Sequence, residues 1–286
     1  MASLKMIKRK IASVNSTKQI MKAMNLVSAS KLQKAKAPLK LIRPMYTDLK
    51  LVIDGIKSSE GSEDNVFVRK RDVKSIAYLI LTSDRGLCGG YNMNISKEAF
   101  AHMTANADKP ENIIVVGSKG YDFFRRRGKN IVNRYIGVTE PTFYEESQKI
   151  AGQLISMYLS GEVDEVYIAY TQFDTILSHI PRVVRVLPIG TDEQEETAGK
   201  HNSMLYDPDI DSFMAYAVPM YLNILVYGSM VESNACEQAA RMTSMDAATR
   251  NADEIIDDLI LVYNTKRQGV ITQEIIEIIS GANTLQ

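Results

Sequence analysis

Cysteine is scarce in this 286-residue chain. Cys88 and Cys236 are too few and too far apart for a disulfide framework or a metal-spaced cluster, which suits a reducing cytoplasm. Both are expected to be buried or semi-buried thiols. The three histidines, His102, His179 and His201, are scattered without metal-ligand spacing, and no Ser/His/Asp or Cys/His set accompanies them. No GxxxxGK[ST] loop occurs, so the usual device for cradling ATP phosphates is missing. No window approaches 18 uninterrupted apolar residues, which argues against a transmembrane span and leaves any membrane role peripheral. Acid is almost absent from the first 50 residues, which hold 12 Lys/Arg and only Asp48.

What is present is ordinary in bulk and uneven in placement. Hydrophobic residues at 45% and charged residues at 24% permit a sizeable core and exclude wholesale disorder. The 34 bases and 34 acids cancel overall, yet residues 1–50 carry +11, residues 51–206 carry −3 and residues 207–286 carry −8. The basic start resembles an organelle presequence, but its pattern does not stop. Every third or fourth residue from Ile7 gives Ile7, Ile11, Val14, Lys18, Met21, Asn25, Ser28, Leu32, Ala35, Leu39, Ile42, Tyr46, Leu49, Ile53 and Ile56. Twelve of those 15 are apolar, which predicts one long helix over 4–57. At 1.5 Å per residue it would span roughly 80 Å. The three polar positions coincide with Ile20, Met24 and Val27 on a neighbouring face, read as drift of the apolar stripe. Pro38 and Pro44 are expected to bend the helix or force a local adjustment.

A polar loop at 58–65 ends this helix, and an alternating α/β segment follows. Strands are expected at 76–81, 113–116, 131–135, 163–170 and 182–187, with helices at 96–107, 119–127 and 144–159. That alternation favours a small, mainly parallel sheet with helices packed on it. From Asp207, a good N-cap, and Pro208 at the first helical position, helical periodicity resumes to about residue 281, with a kink expected at Pro219. Met242, Met245, Ala248, Ala252, Ile255, Leu259 and Val262 mark its apolar face, and Asp253, Glu254, Asp257 and Asp258 face outward or toward a basic neighbour. Terminal helices of opposite charge suit an antiparallel coiled coil. The expected fold class is α/β, a long antiparallel coiled coil of N- and C-terminal helices (1–57 and 207–286) with a Rossmann-like α/β domain inserted at 58–206.

Four stretches are more specific. IKRKIASVNSTKQIMKAMNLVSASKLQK from Ile7, SDRGLCGGYN from Ser83, and the C-terminal SNACEQAARMTSMDAATRNA and YNTKRQGVITQEIIEIISGA closely resemble the γ subunit of rotary F-type ATP synthases. The resemblance covers essentially the whole chain in order. It implies a central-stalk rotor subunit whose paired helices turn inside a hexamer of α and β subunits. Its α/β domain would form a foot on the ε subunit and the membrane c-ring. Such a subunit transmits torque between ion flow and ATP synthesis or hydrolysis without itself binding nucleotide. The resemblance thus implies no cofactor, no nucleic acid and no direct small-molecule substrate.

By the same resemblance, rotor contacts would fall on Lys8, Arg9, Lys18, Lys22 and Met24, and on Arg241, Gln268, Thr272 and Glu274. Ile275, Ile278 and Ile279 belong to an apolar girdle that must be enclosed, for which the family offers a sleeve at the top of the hexamer. Foot contacts would fall on Arg85, Gly86, Cys88, Gly89 and Gly90. Gly269 stands where the family usually has Ala, a loss of roughly 1 kcal/mol in helix propensity. A presequence-free start favours a bacterial subunit, peripheral on the cytoplasmic side of the cell membrane. Two other readings remain open, a coiled-coil scaffold binding nucleic acid through its basic helix, and a nucleotide-binding α/β enzyme using the Gly-rich turn.

Overall fold

The computed structural model describes residues 2–57, 65–69, 71–189 and 210–283. Most of the expected loop at 58–65, the proposed cap at Asp207 and Pro208, and His201 lie outside them. The chain divides into two compact units, Met1–Ala29 with Arg241–Gln286, and Ser30–Ala240.

The helix α1 (Ala2–Lys57) runs without interruption through Pro38 and Pro44, and α5 (Ile210–Asn283) likewise through Pro219. In the first unit they are antiparallel: Lys18 pairs with Asp253, while Asn25 Nδ2 donates to the Met242 carbonyl at 2.9 Å. This corrects the drift expected of the apolar stripe. Ile20 and Val27 are 61% and 56% exposed, and the covered face runs through Lys18 and Asn25 themselves. Polar residues in a helical seam cost stability but fix register, because each accepts only one partner position. On α5, Met245 and Ala252 are buried as expected, but Ile255 and Val262 are exposed. The covered face instead passes through Asp253, Ile256, Leu259 and Tyr263, and beyond Val270 every described side chain is exposed.

The second unit contains the sheet. Its strands are β1 (Ile76–Leu81), β2 (Glu111–Val116), β3 (Ile131–Tyr135), β4 (Glu165–Phe173) and β5 (His179–Leu187), in the order β3-β2-β1-β4-β5. All neighbours are parallel except β4 and β5, so the sheet carries one antiparallel edge. The helices are α2 (Tyr91–Ala105), α3 (Ser118–Arg125) and α4 (Phe143–Leu159). Helix α2 begins five residues before the expected 96, because Gly90 at the end of the Gly-rich turn is itself the N-cap. Central β1 is buried at every position, as a parallel strand covered on both faces must be. Ile76, Tyr78 and Ile80 pack with Ile95, Ala99 and Met103 of α2 and Phe124 of α3, and the alternate Ala77, Leu79 and Leu81 are equally buried.

The two long helices also pair within this unit. A Cβ added at Gly228 would lie 3.0 Å from Ile42 Cγ2, so glycine lets α1 and α5 approach closely. By length and composition α5 contains a stretch apolar enough to cross a membrane, which the criterion of uninterrupted runs passes over. That window is 56% buried within the protein, as in a core helix, with Val218, Leu222, Val226 and Met230 among the buried residues of α5.

Candidate functional site

The Gly-rich turn leaves β1 where the strand order reverses between β1 and β4. In open α/β sheets that crevice is where ligands bind. Here the turn spends its polar groups on itself. Ser83 N donates to Asn92 Oδ1 at 2.9 Å, Ser83 Oγ donates to the Arg85 carbonyl at 2.7 Å, and Tyr91 N donates to the Cys88 carbonyl at 3.2 Å. Asp84 occupies the start of α3, its Oδ1 accepting from Ser118 N and Oγ at 2.9 Å, while Oδ2 accepts from Gly137 N at 2.8 Å. A carboxylate at a helix N-terminus satisfies the amides that would otherwise hold an anion.

The crevice is also filled by the chain's own α5. Tyr91 is hydrogen-bonded to Ser233, Ser233 Oγ accepts from Thr171 N at 3.4 Å, and Cys236 Sγ donates to the Thr171 carbonyl at 3.4 Å. Burial, first of all, pushes the Tyr91 phenol and the Cys236 thiol well up, so both stay protonated. These contacts take support from the nucleotide-binding reading. Of the residues expected at the foot surface, Arg85, Gly89 and Gly90 are exposed, Gly86 is partly covered and Cys88 is buried. Gly89 has φ +55°, a conformation that glycine supplies without strain.

On the helices, Lys8, Arg9 and Lys22 are exposed, Lys18 is engaged by Asp253, and Met24 is half-buried. Arg241 is only 8% exposed. Gln268, Thr272 and Glu274 are exposed, and so are Ile275, Ile278 and Ile279, with Ile278 at 72%. These positions are therefore not gathered into one cleft; most lie along bare helix. A Cβ at Gly269 would meet nothing within 4 Å. Gly269→Ala should accordingly stabilise the helix end by about 1 kcal/mol. A slower amide exchange across 262–276 would register it, and an unchanged or faster exchange would count against it.

Among the described residues no grouping of three or more His, Cys, Asp or Glu has metal-binding geometry. His102 accepts or donates at Nδ1 to Tyr78 Oη over 2.9 Å, and burial lowers its pKa. Sequence reasoning missed Arg43 and Glu232, which form a 2.6 Å hydrogen-bonded ion pair inside the second unit. The available signal was Glu232 itself, an acid within a long apolar stretch of helix.

A family model described as ATP synthase matches residues 3–285. The chain is 40% identical over 286 residues to the ATP synthase gamma chain of Desulforamulus reducens, covering 100% of each. It is 39% identical to the gamma chain of Acetobacterium woodii described as sodium ion specific, covering 98% of this chain and 97% of that one. In fold it is similar to a chain of the Tetrahymena thermophila mitochondrial ATP synthase central stalk and c-ring structure, with a TM-score of 0.64 and 22% identity over 80% and 99% of the two chains. It is likewise similar to a rotor chain of the Euglena gracilis mitochondrial enzyme, with a TM-score of 0.65 and 15% identity over 94% and 99%.

Proposed function

This chain belongs to the ATP synthase γ-chain family, and from that premise we propose how its parts work as the central-stalk rotor subunit of the membrane-associated complex. The subunit is non-catalytic. The terminal helix segments turn inside the hexamer of α and β subunits, and the α/β domain at 58–206 is the foot that meets the ε subunit and the c-ring. It works peripherally on the cytoplasmic side of a bacterial cell membrane. Asymmetry of the turning helices sets which catalytic subunit is open or closed at each angle, so nucleotide binding and rotation are reciprocally linked.

The observation that carries this reading is the isoleucine-rich end of α5, where Ile271, Ile275, Ile276, Ile278 and Ile279 are all exposed. A helix apolar around most of its circumference needs an enclosing partner in water. Apolar contact has no preferred direction and so permits turning. Reconstitution with α and β subunits and a probe on the foot tests the assignment. Stepwise turning on addition of ATP is expected; normal hydrolysis with a stationary probe would sink it.

The exposed bases Lys8, Arg9 and Lys22 are proposed to face acidic stretches of the β subunits. Reversing all three to Glu should change the subunit's own stability by no more than about 0.5 kcal/mol per position, as exposed substitutions do, while impairing assembly or ion pumping. Adding Lys18→Glu should also weaken helix pairing by up to about 1 kcal/mol, because the partly exposed Asp253 pair is lost. Thermal melting beside ATP-driven pumping separates the two effects, and unchanged assembly and pumping would leave the three bases as solvated surface.

A further inference from the structure

Residues of α5 from Val226 to Ala240 are largely buried, and most of their packing is apolar. One level is different. Arg43 of α1 donates from Nε to Glu232 Oε1 at 2.6 Å and from a terminal nitrogen to the carbonyl of Phe173, the last residue of β4. Lys36 of α1 lies 5.3 Å above the Phe173 ring. On the next α5 residue, Ser233 is bonded to Tyr91 of α2 and to the Thr171 amide of β4, and Cys236 reaches the Thr171 carbonyl. Within about one helical turn, α5 is held by directional bonds from α1, α2 and β4.

Glu232 is 2% exposed in side chain, and a buried ion pair contributes no more stability than apolar residues of similar volume commonly would. Burial raises the Glu232 carboxyl above its ordinary range against the opposing pull of Arg43, which is the mark of a desolvation cost only partly offset. What such groups supply is register. An apolar seam can slide or turn with little change in contact area, whereas a fork of hydrogen bonds is satisfied at one height and one angle.

We propose that this collar is the rotational key of the rotor, with Arg43, Glu232 and Ser233 as positioning residues that fix α5 against α1 and the sheet so that torque passes between them without slip. The inference rests on the rotor function above. A collar on one helical turn is where a shaft joined to a foot must resist twisting, and the flanking side chains of Val226, Met230 and Ala235 are buried and apolar, so their contact is non-directional.

The test uses the reconstituted complex, with single-molecule probes placed in turn on the foot and on the exposed end of α5. The double variant Arg43→Met with Glu232→Met keeps volume while removing the bonds. It should fold and hydrolyse ATP as the parent does, yet the angular spread of the foot probe at each catalytic dwell should widen about twofold, since the directional bonds are gone. Ions pumped per ATP should fall with it. Arg43→Lys, which keeps the charge without the fork, should widen the spread less. A folded double variant with parental spread would overturn the key. Should the double variant not fold, Ser233→Ala carries the decision: a wider foot-probe spread supports the proposal and an unchanged one overturns it. A parent complex whose foot probe never turns would overturn the rotor function itself, and the key with it.

Discussion

Gly117→Ala should destabilise the sheet-bearing unit by about 3 kcal/mol or more, through strain and overpacking together. Gly117 links β2 to α3 with φ +94°, and an added Cβ would stand 2.3 Å from the Thr82 carbonyl oxygen and 2.8 Å from Thr82 Oγ1. Neither neighbour can retreat. Thr82 N donates to the Val116 carbonyl at 2.9 Å and Thr82 Oγ1 donates to the same carbonyl at 2.8 Å, while Gly117 N donates to the Tyr135 carbonyl at 2.9 Å. The backbone of three strands is therefore braced at this point. For a unit of this size the loss corresponds to a Tm lower by about 10 °C. Gly161→Ala is the matched control: it also has positive φ, at +75°, but nothing lies within 4 Å of its added Cβ. Conformational strain alone should cost it only about 1 kcal/mol. Equal losses at the two sites in chemical unfolding would refute the steric argument.

Arg43→Met alone should be as damaging, by a different route. It strands Glu232 as an uncompensated buried carboxylate, for which the loss is about 3–5 kcal/mol at neutral pH. The loss should depend on pH in a definite direction. Burial already holds the Glu232 carboxyl above its ordinary range, and the hydrogen bond and charge of Arg43, with a weaker contribution from Arg182, pull it back down. Without Arg43 it rises further. An acid whose pKa is raised in the folded state binds its proton more tightly there than in the unfolded chain. Its stabilising contribution is complete below the unfolded value and disappears as pH climbs through the folded one. The variant should thus approach parental stability near about pH 4–5 and fall behind it progressively toward about pH 8. Adding Glu232→Gln should flatten that profile. Parallel pH profiles of the variant and its parent in thermal melting would show that Glu232 is not the stranded charge.

Much of the architecture is legible in the chain because it follows from local pattern. The seam from Ile7 predicts a helix over 4–57, and all of those residues are helical; IAYLIL predicts a strand at 76–81, and β1 has those bounds. Mixed α/β architecture between long terminal helices follows from the alternation of periods two and 3.6. What misled was also local. Lys18, Asn25 and Ser28 looked like faults in the seam, because an isolated pattern cannot show that Asp253 waits opposite Lys18 or the Met242 carbonyl opposite Asn25. The prolines are expected to bend or locally adjust the helices rather than end them, and both helices do continue through them, since a long helix with packed neighbours tolerates the loss of single hydrogen bonds.

The site divides in the same way. Motifs at both ends and in the Gly-rich turn are sufficient to identify the family, and the isoleucine girdle, exposed in the structure, is what the proposed enclosing partner rests on. Nothing in the spacing of Arg43, Tyr91, Thr171 and Glu232 joins them, since they lie on α1, α2, β4 and α5. The sequence by itself determined the periodicity of each segment, the opposite charge of the terminal helices and the kinship of the chain. Only the tertiary structure decided that α5 fills the crevice where such sheets bind ligands, and that one ion pair grips it there. The reason is physical: periodicity is set by neighbours along the chain, whereas which buried charge meets which partner depends on a register that exists only after distant segments have packed.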